Sequence, residues 1–378
     1  MPSLSYWEKE SFFKNIDVAI IGSGIVGLSA AIHLKEYSPK LKVVILERGS
    51  LPIGASTRNA GFACFGSLTE LLDDLETHSE EEVFALVEKR WKGLERLRKR
   101  VGDQNLKYKP WGGFELFRNQ DAENFEQCAA QIDFFNKKIK TITGQKEVYK
   151  ITDEKIGEFG FQKIQHLIHN RAEGQIHTGA MMRTLLKIAV EKGVKIFNGI
   201  FIKKINDEGT TVKIETADGW DLTANKVIVA TNGFAKTLLK DKEVIPARNQ
   251  VIITKPIKNL AIEGCFHYDK GYFYFRNIDG RILLGGGRNL AKQEEETTVF
   301  GSTEIIQNAL MDLLEKVILP NQKFEIESTW SGILGVGNSK KPIVETVSEN
   351  VVISVRLGGM GVAIGSLVGE SGAELILE

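Results

Sequence analysis

The chain alternates short apolar runs with longer segments whose apolar positions recur at helical spacing. The first run, residues 18–21, is typical of a strand that is buried on both faces. Residues 28–34 then follow helical spacing, and a second apolar run covers residues 43–46. Strand, helix and strand in this order predict a βαβ unit at the start of the chain.

The rest of the chain continues to mix the two patterns. Helical spacing predicts helices over residues 81–101, 122–138, 181–191, 302–317 and 363–378. Apolar or alternating runs predict strands over residues 111–117 (as part of a hairpin), 194–205, 211–216, 220–223, 226–234, 251–254, 272–275, 281–285 and 351–355. This interleaving predicts an α/β fold with two domains built from non-adjacent segments.

Three glycines follow the first strand. Gly22 allows a tight turn, Gly24 lets backbone amides approach a pyrophosphate, and Gly27 lets the helix pack closely on the strand. The N–H groups at the start of that helix favour an anionic ligand. Glu47 ends the second apolar run, where a carboxylate accepts hydrogen bonds from ribose hydroxyls. A glycine pattern alone is weak evidence for dinucleotide binding, but its position within a whole βαβ unit predicts a dinucleotide site.

Composition narrows the class of protein. The 378 residues suffice for about two domains, and 49 basic and 49 acidic residues give no formal net charge. That balance does not favour a nucleic acid or an anionic membrane as partner. The scattered Cys64, Cys128 and Cys265 indicate a reducing compartment. Residues 1–15 lack the apolar core of a signal peptide, and no stretch is apolar enough to span a membrane. We therefore expect a soluble, cytoplasmic protein.

Five separate motifs occur in an order that resembles the D-amino-acid oxidase superfamily of flavoproteins. This superfamily includes glycine, sarcosine and γ-glutamylputrescine oxidases. Two segments, the loop at residues 54–61 (the early loop) and the Tyr-Phe-Arg strand at residues 272–276, most resemble the γ-glutamylputrescine oxidase branch. The motifs are the Gly22 turn with Glu47, the loop Gly54-Ala-Ser-Thr-Arg-Asn-Ala-Gly61, Ala230-Thr-Asn-Gly233, Trp330-Ser-Gly332 and Gly358-Gly-Met-Gly-Val362. Together they cover nearly the whole chain.

The resemblance implies FAD rather than NAD. It implies a Rossmann-like FAD-binding domain of the glutathione-reductase type and an α+β substrate domain with a large mixed or antiparallel sheet. We place the FAD-binding domain at residues 1–100, 171–240 and 326–378, and the substrate domain at residues 101–170 and 241–325. A plain NAD dehydrogenase would leave the later glycine motifs unexplained.

Site residues are carried over by position. The resemblance places the first turn at the pyrophosphate, through Gly22, Gly24, Ile25, Val26 and Gly27, and it places Glu47 at the adenosine ribose with Arg48 beside it. The early loop meets the pyrophosphate and the flavin through Ser56, Thr57, Arg58, Asn59 and Gly61, and Ile202 contacts the adenine. Ala230, Thr231 and Gly233 lie at the carboxyl edge of the sheet, and Gly359, Met360, Gly361 and Val362 lie along the isoalloxazine. The positions that carry a covalent flavin link in some relatives hold no cysteine or histidine here, so we predict non-covalent FAD.

The implied reaction is the oxidation of a C–N bond in an amine or amino acid. Hydride passes to flavin N5, the imine hydrolyses, and O₂ or another acceptor takes the electrons. Such chemistry requires no side-chain base. This chain departs from its relatives where they grip a substrate carboxylate, because Gly61, Ile333, Leu334 and Ala363 stand at those positions. Residues 282–284 also lack the lysine that activates oxygen in sarcosine oxidase.

The catalytic candidates come from one strand and from the last glycine-rich turn. Tyr272, Tyr274 and Arg276 share one face of an alternating strand, which predicts an aromatic amine pocket with a single cation. The alternative is a surface arginine beside core aromatics. Tyr274 and Arg276, together with Met360 in the last glycine-rich turn, form the candidate set.

Two other functions stay open at this stage. The chain could be the flavin domain of an enzyme that modifies aminomethyl groups on the wobble uridine of tRNA, although the balanced charge disfavours nucleic acid. It could also be a flavoprotein subunit that transfers electrons or scaffolds an assembly. The sequence indicates no metal site, and it leaves the oligomeric state undetermined.

Overall fold

The computed structural model describes residues 4–378. The helices in this range are, in chain order, α1 (Tyr6–Glu8), α2 (Ile25–Tyr37), α3 (Leu68–Thr77), α4 (Glu80–Val101), α5 (Asp103–Leu106), α6 (Ala122–Thr143), α7 (Glu154–Phe159), α8 (Thr178–Glu191), α9 (Glu304–Leu313) and α10 (Gly361–Leu377). The strands are β1 (Ile16–Ile21), β2 (Val43–Glu47), β3 (Phe62–Ala63), β4 (Gly113–Arg118), β5 (Tyr149–Ile151), β6 (Ile164–Asn170), β7 (Gly174–Gln175), β8 (Lys195–Asn198), β9 (Ile202–Asp207), β10 (Val212–Thr216), β11 (Asp221–Val229), β12 (Ile245–Thr254), β13 (Cys265–Tyr268), β14 (Phe273–Ile278), β15 (Arg281–Gly286), β16 (Ile326–Val336), β17 (Ile343–Ser348) and β18 (Val351–Val355).

The first sheet has the strand order β17-β18-β11-β1-β2-β8, and β9 and β10 extend it from β11. Its central strands are parallel, as a chain of βαβ units requires. The helices α2 and α10 pack against each other beside this sheet, so closely that a Cβ at Gly369 would lie 2.3 Å from the carbonyl oxygen of Val26. The predicted Rossmann-like unit is confirmed.

The second sheet has the order β16-β12-β15-β14-β13-β4-β6-β5. Every pair is antiparallel except β13 and β4, so the sheet is mixed, as the resemblance implied. One face buries aromatic side chains, and the rings of Phe266 and Phe275 stack at 4.6 Å. The helix α9 packs on this face through Ile306 and Leu310.

Several predicted boundaries were wrong. The predicted strand 194–205 breaks at Gly199, whose φ of +77° turns the chain between β8 and β9. The segment 111–117 is an interior strand rather than part of a hairpin, because β4 pairs with β13 and β6. Helix α9 begins after the N-cap Thr303 rather than at 302, and at Leu314 it passes into a π-helical turn. Helix α10 begins at Gly361, two residues before the predicted start.

One predicted domain segment contributes to both sheets. Residues 326–378 are predicted to belong to the FAD-binding domain, and within them β16 pairs with β12 in the second sheet over almost its whole length. The chain returns to the first sheet at β17 and β18. The domain boundaries stay predictions.

Candidate functional site

A cavity opens where the carboxyl ends of β1, β2 and β11 meet at one edge of the first sheet. Open α/β sheets bind ligands at this edge, because the loops that follow parallel strands converge there. Segments from the whole chain form its walls. They are the turn after β1, the end of β2, the loop at 54–59, the segment 200–202, the turn after β11 and the last glycine-rich turn.

The turn after β1 has the geometry expected of the glycine pattern. Gly22 has a φ of +105°, and a Cβ at Gly27 would lie 2.0 Å from the carbonyl oxygen of Gly22. Helix α2 therefore begins in direct backbone contact with the turn. Its N-cap, Gly24, offers no side-chain cap, and the Ile25 N–H instead donates to the Ser56 hydroxyl at 2.9 Å. The early loop and the glycine turn thus hold each other in place.

The carboxylate of Glu47 is buried at the end of β2. One oxygen accepts hydrogen bonds from the Ser23 N–H at 3.0 Å and the Ser23 hydroxyl at 2.7 Å, and the other accepts from the Gly49 N–H at 3.0 Å. A carboxylate has about four acceptor positions. Glu47 therefore shapes the turn and keeps acceptor capacity toward the cavity for one more donor.

Two further residues that the sequence suggested, Arg48 and Thr231, lie on the walls of this cavity. The guanidinium of Arg48 lies 3.6 Å from the centre of the Phe234 ring, and both side chains line the cavity. The Thr231 hydroxyl is buried without a hydrogen-bond partner among residues 4–378. A buried polar atom in this condition is costly unless a ligand pairs with it.

The last glycine-rich turn closes the cavity. Gly358 and Gly359 have φ values of +57° and +86°, which glycine adopts without strain. The Asn232 side-chain oxygen accepts from the Arg356 N–H at 3.1 Å and the Leu357 N–H at 3.3 Å. The turn after β11 therefore fixes the position of the turn that opens α10.

A second cavity adjoins the first and shares Ala55, Asn59, Leu334, Gly359 and Val362 with it. It lies between the early loop, the strands β12, β13, β14 and β16 of the second sheet, and the last glycine-rich turn.

The early loop between the two cavities is held from several sides. Asn59 donates to the carbonyl oxygen of Ser56 at 2.9 Å and accepts from the Gly61 N–H at 2.8 Å. Arg58 donates to the carbonyl oxygen of Ser331 at 2.9 Å, and the Trp330 indole donates to the carbonyl oxygen of Arg58 at 3.0 Å. The two motifs that contain these residues therefore meet in space.

Tyr272, Tyr274 and Met360 line the second cavity. The Tyr274 ring lies edge-on to Phe62 at 5.7 Å, and a Cβ at Gly285 would touch it at 2.8 Å. Burial raises the pKa of Tyr274 to about 12, so the phenol is neutral at physiological pH. The predicted aromatic pocket is present on this face.

Arg276 does not line the second cavity. Its guanidinium is buried and donates from Nη1 to the carbonyl oxygens of Ala60 at 3.1 Å, Gly61 at 3.0 Å and Ile176 at 2.7 Å. It reaches under the early loop because it lies further along β14 than Tyr274. The structure therefore gives Arg276 the place of a positioning residue for the early loop, rather than the single cation of the pocket.

The structure brings together almost all of the residues that the sequence suggested. Those on the cavity walls are Gly22, Gly24, Ile25, Val26, Glu47, Arg48, Ser56, Arg58, Asn59, Gly61, Ile202, Ala230, Thr231, Tyr274, Gly359, Met360, Gly361 and Val362. Gly27, Thr57 and Gly233 lie behind the walls. Gly233 packs so tightly that a Cβ would lie 2.4 Å from the carbonyl oxygen of Leu334, and the Thr57 hydroxyl donates to the carbonyl oxygen of Gly54 at 3.2 Å.

Sequence reasoning missed a buried polar group next to the second cavity. Glu173 accepts from the backbone N–H groups of Phe65 at 3.0 Å and Gly66 at 3.3 Å. One of its oxygens lies 3.8 Å from Nε2 of His267, a cavity-lining side chain. Burial raises the pKa of Glu173 to about 8 and lowers that of His267 to about 4, so both are neutral near pH 7. No local pattern in the sequence marks these residues.

The raised pKa of Glu173 predicts a pH effect on stability. Between an unfolded pKa near 4.5 and the folded value near 8, the native state binds the extra proton, so stability falls as pH rises through this window. The Glu173→Gln variant keeps an acceptor for the two N–H groups but does not ionise. We expect it to lose less stability than the wild type between pH 5 and pH 9, by a few kcal/mol.

Denaturant unfolding at several pH values measures this difference. The matched control is Glu158→Gln, which changes an exposed carboxylate on α7. Parallel pH profiles for the wild type and Glu173→Gln would contradict the prediction.

Other kinds of site find no support. No group of three or more histidine, cysteine or acidic side chains in residues 4–378 could hold a metal ion. The same residues contain no helix that is both long and apolar enough to span a membrane.

The first cavity fits a flavin dinucleotide. The glycine turn at the start of α2 suits a pyrophosphate, Glu47 can accept one more hydrogen bond, and the buried Thr231 hydroxyl needs a partner. The fold and site therefore define a dinucleotide-binding protein with a second cavity beside the dinucleotide site.

Comparison with known proteins gives the family. Residues 17–375 match the family model described as FAD dependent oxidoreductase, so the chain belongs to the D-amino-acid oxidase family of flavoenzymes and FAD is its cofactor. It is 24% identical to γ-glutamylputrescine oxidoreductase of Escherichia coli, over 95% of this chain and 83% of that protein. It is 24% identical to glycine oxidase of Bacillus licheniformis, over 96% of this chain and 94% of that protein.

A solved structure has the same fold. Iminodiacetate oxidase from Chelativorans sp. superposes with a TM-score of 0.76 at 20% sequence identity, and the match covers 95% of each chain. The resemblance drawn from the five motifs is therefore confirmed at the level of family, fold and cofactor.

Proposed function

We propose that this enzyme oxidises a C–N bond of an amine or amino acid. The observation that carries the proposal is the second cavity, which has aromatic side chains on its walls and adjoins the first cavity at the last glycine-rich turn. The relatives named for γ-glutamylputrescine and for glycine support this substrate class. When bound, FAD supplies an acceptor for a hydride at N5.

The residues of the second cavity bind and orient the substrate. Tyr274 and Phe62 form an apolar wall that excludes water and favours a neutral amine over its ammonium form. The carbon next to the nitrogen loses a hydride, the nitrogen loses a proton, and the resulting imine takes up water to give a carbonyl compound and the free amine or ammonia.

Anaerobic titration of the FAD-loaded enzyme tests the proposal. A panel of primary amines, secondary amines and amino acids is added without oxygen, and the visible absorption of the flavin is followed. We expect at least one compound to bleach it. If no member of a broad panel does so, the proposal is wrong.

Two further properties are part of the proposal. We expect FAD to be non-covalent, so acid precipitation should release the yellow colour into the supernatant, and a yellow pellet would contradict this.

Air admitted after anaerobic bleaching shows whether the reduced enzyme uses O₂ or another electron acceptor. Fast return of the absorption identifies an oxidase, and slow return identifies a dehydrogenase that uses another acceptor.

A further inference from the structure

The second cavity contains more positive than negative charge. Four cations line it, Arg58, Lys270, Arg288 and Lys340, against two carboxylates, Glu70 and Asp73. Lys270 pairs with Asp73 at 2.5 Å, and Lys340 pairs with Glu70 at 3.1 Å and with Asp74, outside the wall, at 2.7 Å. Glu70 also pairs with Arg90, behind the wall, at 3.1 Å. Neither carboxylate of the wall pairs with Arg58 or Arg288.

The two arginines of the cavity wall, Arg58 and Arg288, differ in their hydrogen-bond partners. The donors of Arg58 are used inside the protein, on the carbonyl oxygens of Ile53 at 3.1 Å and Ser331 at 2.9 Å. Arg288 has neither a carboxylate partner nor a side-chain hydrogen bond within the described chain, and its contact is with the ring of Tyr272, 5.7 Å from the centre. Its planar set of donors is the available anion-binding group of the cavity.

Local backbone geometry puts Arg288 at this position. A Cβ at Gly286 would lie 1.9 Å from the carbonyl oxygen of Tyr272, and the Gly287 N–H donates to the same oxygen at 2.9 Å. Both glycines have positive φ, +116° and +75°, so the chain turns sharply at the end of β15 and carries Arg288 over Tyr272. The pair of glycines therefore places a cation at the edge of an aromatic pocket.

We propose that Arg288 binds a carboxylate of the substrate and so selects amines that carry a carboxylate away from the reacting nitrogen. This inference rests on the proposed amine oxidation, and it names the substrate class and the residue that recognises it. A bidentate pair with a planar guanidinium fixes the carboxylate at one end of the molecule and leaves the nitrogen free to approach the flavin. The positions from which relatives grip a carboxylate carry apolar side chains here, Ile333, Leu334 and Ala363. Arg288 supplies the cation instead.

The test uses the FAD-loaded enzyme and measures binding separately from turnover. Glutarate is titrated into the wild type, Arg288→Gln and Lys292→Gln, and the dissociation constant is obtained by calorimetry and from the change in flavin absorption. Lys292→Gln is the matched control, since it removes an exposed cation from the same segment outside the cavity. We expect glutarate to bind about 10- to 100-fold more weakly to Arg288→Gln and unchanged to Lys292→Gln.

A second measurement links binding to the reaction. Anaerobic bleaching by 6-aminohexanoate is compared with bleaching by hexylamine, which has a similar length and no carboxylate. We expect wild type to prefer 6-aminohexanoate, and Arg288→Gln to lose that preference through a higher concentration for half-bleaching. Glutarate affinity that is the same in wild type and Arg288→Gln, or absent from both, would overturn the proposal for Arg288. Failure of every amine to bleach the flavin, with Arg288-dependent glutarate binding intact, would instead overturn the amine oxidation.

Discussion

Replacement of Gly27 by valine is expected to yield a protein that purifies without FAD. A Cβ at this position would lie 2.0 Å from the carbonyl oxygen of Gly22 and 3.2 Å from the side chain of Ile20. The first obstacle is backbone, so α2 or the turn after β1 must move. Overpacking of this kind costs ~3 kcal/mol, and we expect the dissociation constant of FAD to rise roughly 100-fold.

Absorption of the purified protein and calorimetric titration with FAD measure this effect. Gly157→Ala is the matched control, because a Cβ at Gly157 meets no atom within 4 Å and its φ is negative. That variant should be as yellow as the wild type. A yellow Gly27→Val protein with unchanged FAD affinity would show that the contact between α2 and the turn is not what shapes the cavity.

Replacement of Arg276 by methionine is expected to reduce the free energy of unfolding by about 3 kcal/mol. The guanidinium is 4% exposed and donates to three carbonyl oxygens, two of them in the early loop. Methionine keeps much of the volume but leaves those oxygens without their donor in a buried place. The early loop should then be less ordered, so we expect FAD affinity to fall together with stability.

Denaturant unfolding measures the stability change, and Arg281→Gln is the control. Arg281 lies at the other end of the β14–β15 turn and pairs with Glu327 at 2.7 Å at the surface, so its loss should cost less than about 1 kcal/mol. Equal effects of the two substitutions would contradict the positioning role. A loss of substrate binding without any loss of stability or FAD affinity would restore Arg276 as a substrate group.

The part of the site that could be predicted depends on backbone geometry. The glycines of the first turn and the acidic end of β2 can be identified from spacing alone, because strand, turn and helix follow one another directly in the chain. The last glycine-rich turn is similar, since Gly358 and Gly359 adopt positive φ values that favour glycine. By contrast, the neutral pair of Glu173 and His267 comes from distant segments, and its properties arise from burial.

The alternation of side chains along β14 predicts which of them share a face, but it does not predict which of them reach the second cavity. Alternation correctly grouped Tyr272, Tyr274 and Arg276, and it found the aromatic pocket. It could not show where the cavity ends along that face, because the early loop that covers Arg276 is more than 200 positions away in the sequence. Within residues 4–378, Arg288 lines the pocket without a carboxylate partner. It lies after the strand, and no period in the sequence marks it.

By itself, the sequence determined the dinucleotide-binding unit, the family resemblance and the cofactor, because short-range spacing of glycine, apolar and acidic residues fixes the local backbone. Only the tertiary structure decided which charged side chains pair with one another and which line the second cavity. Those outcomes depend on contacts between segments far apart in the chain and on the burial that these contacts create, so local patterns do not contain them.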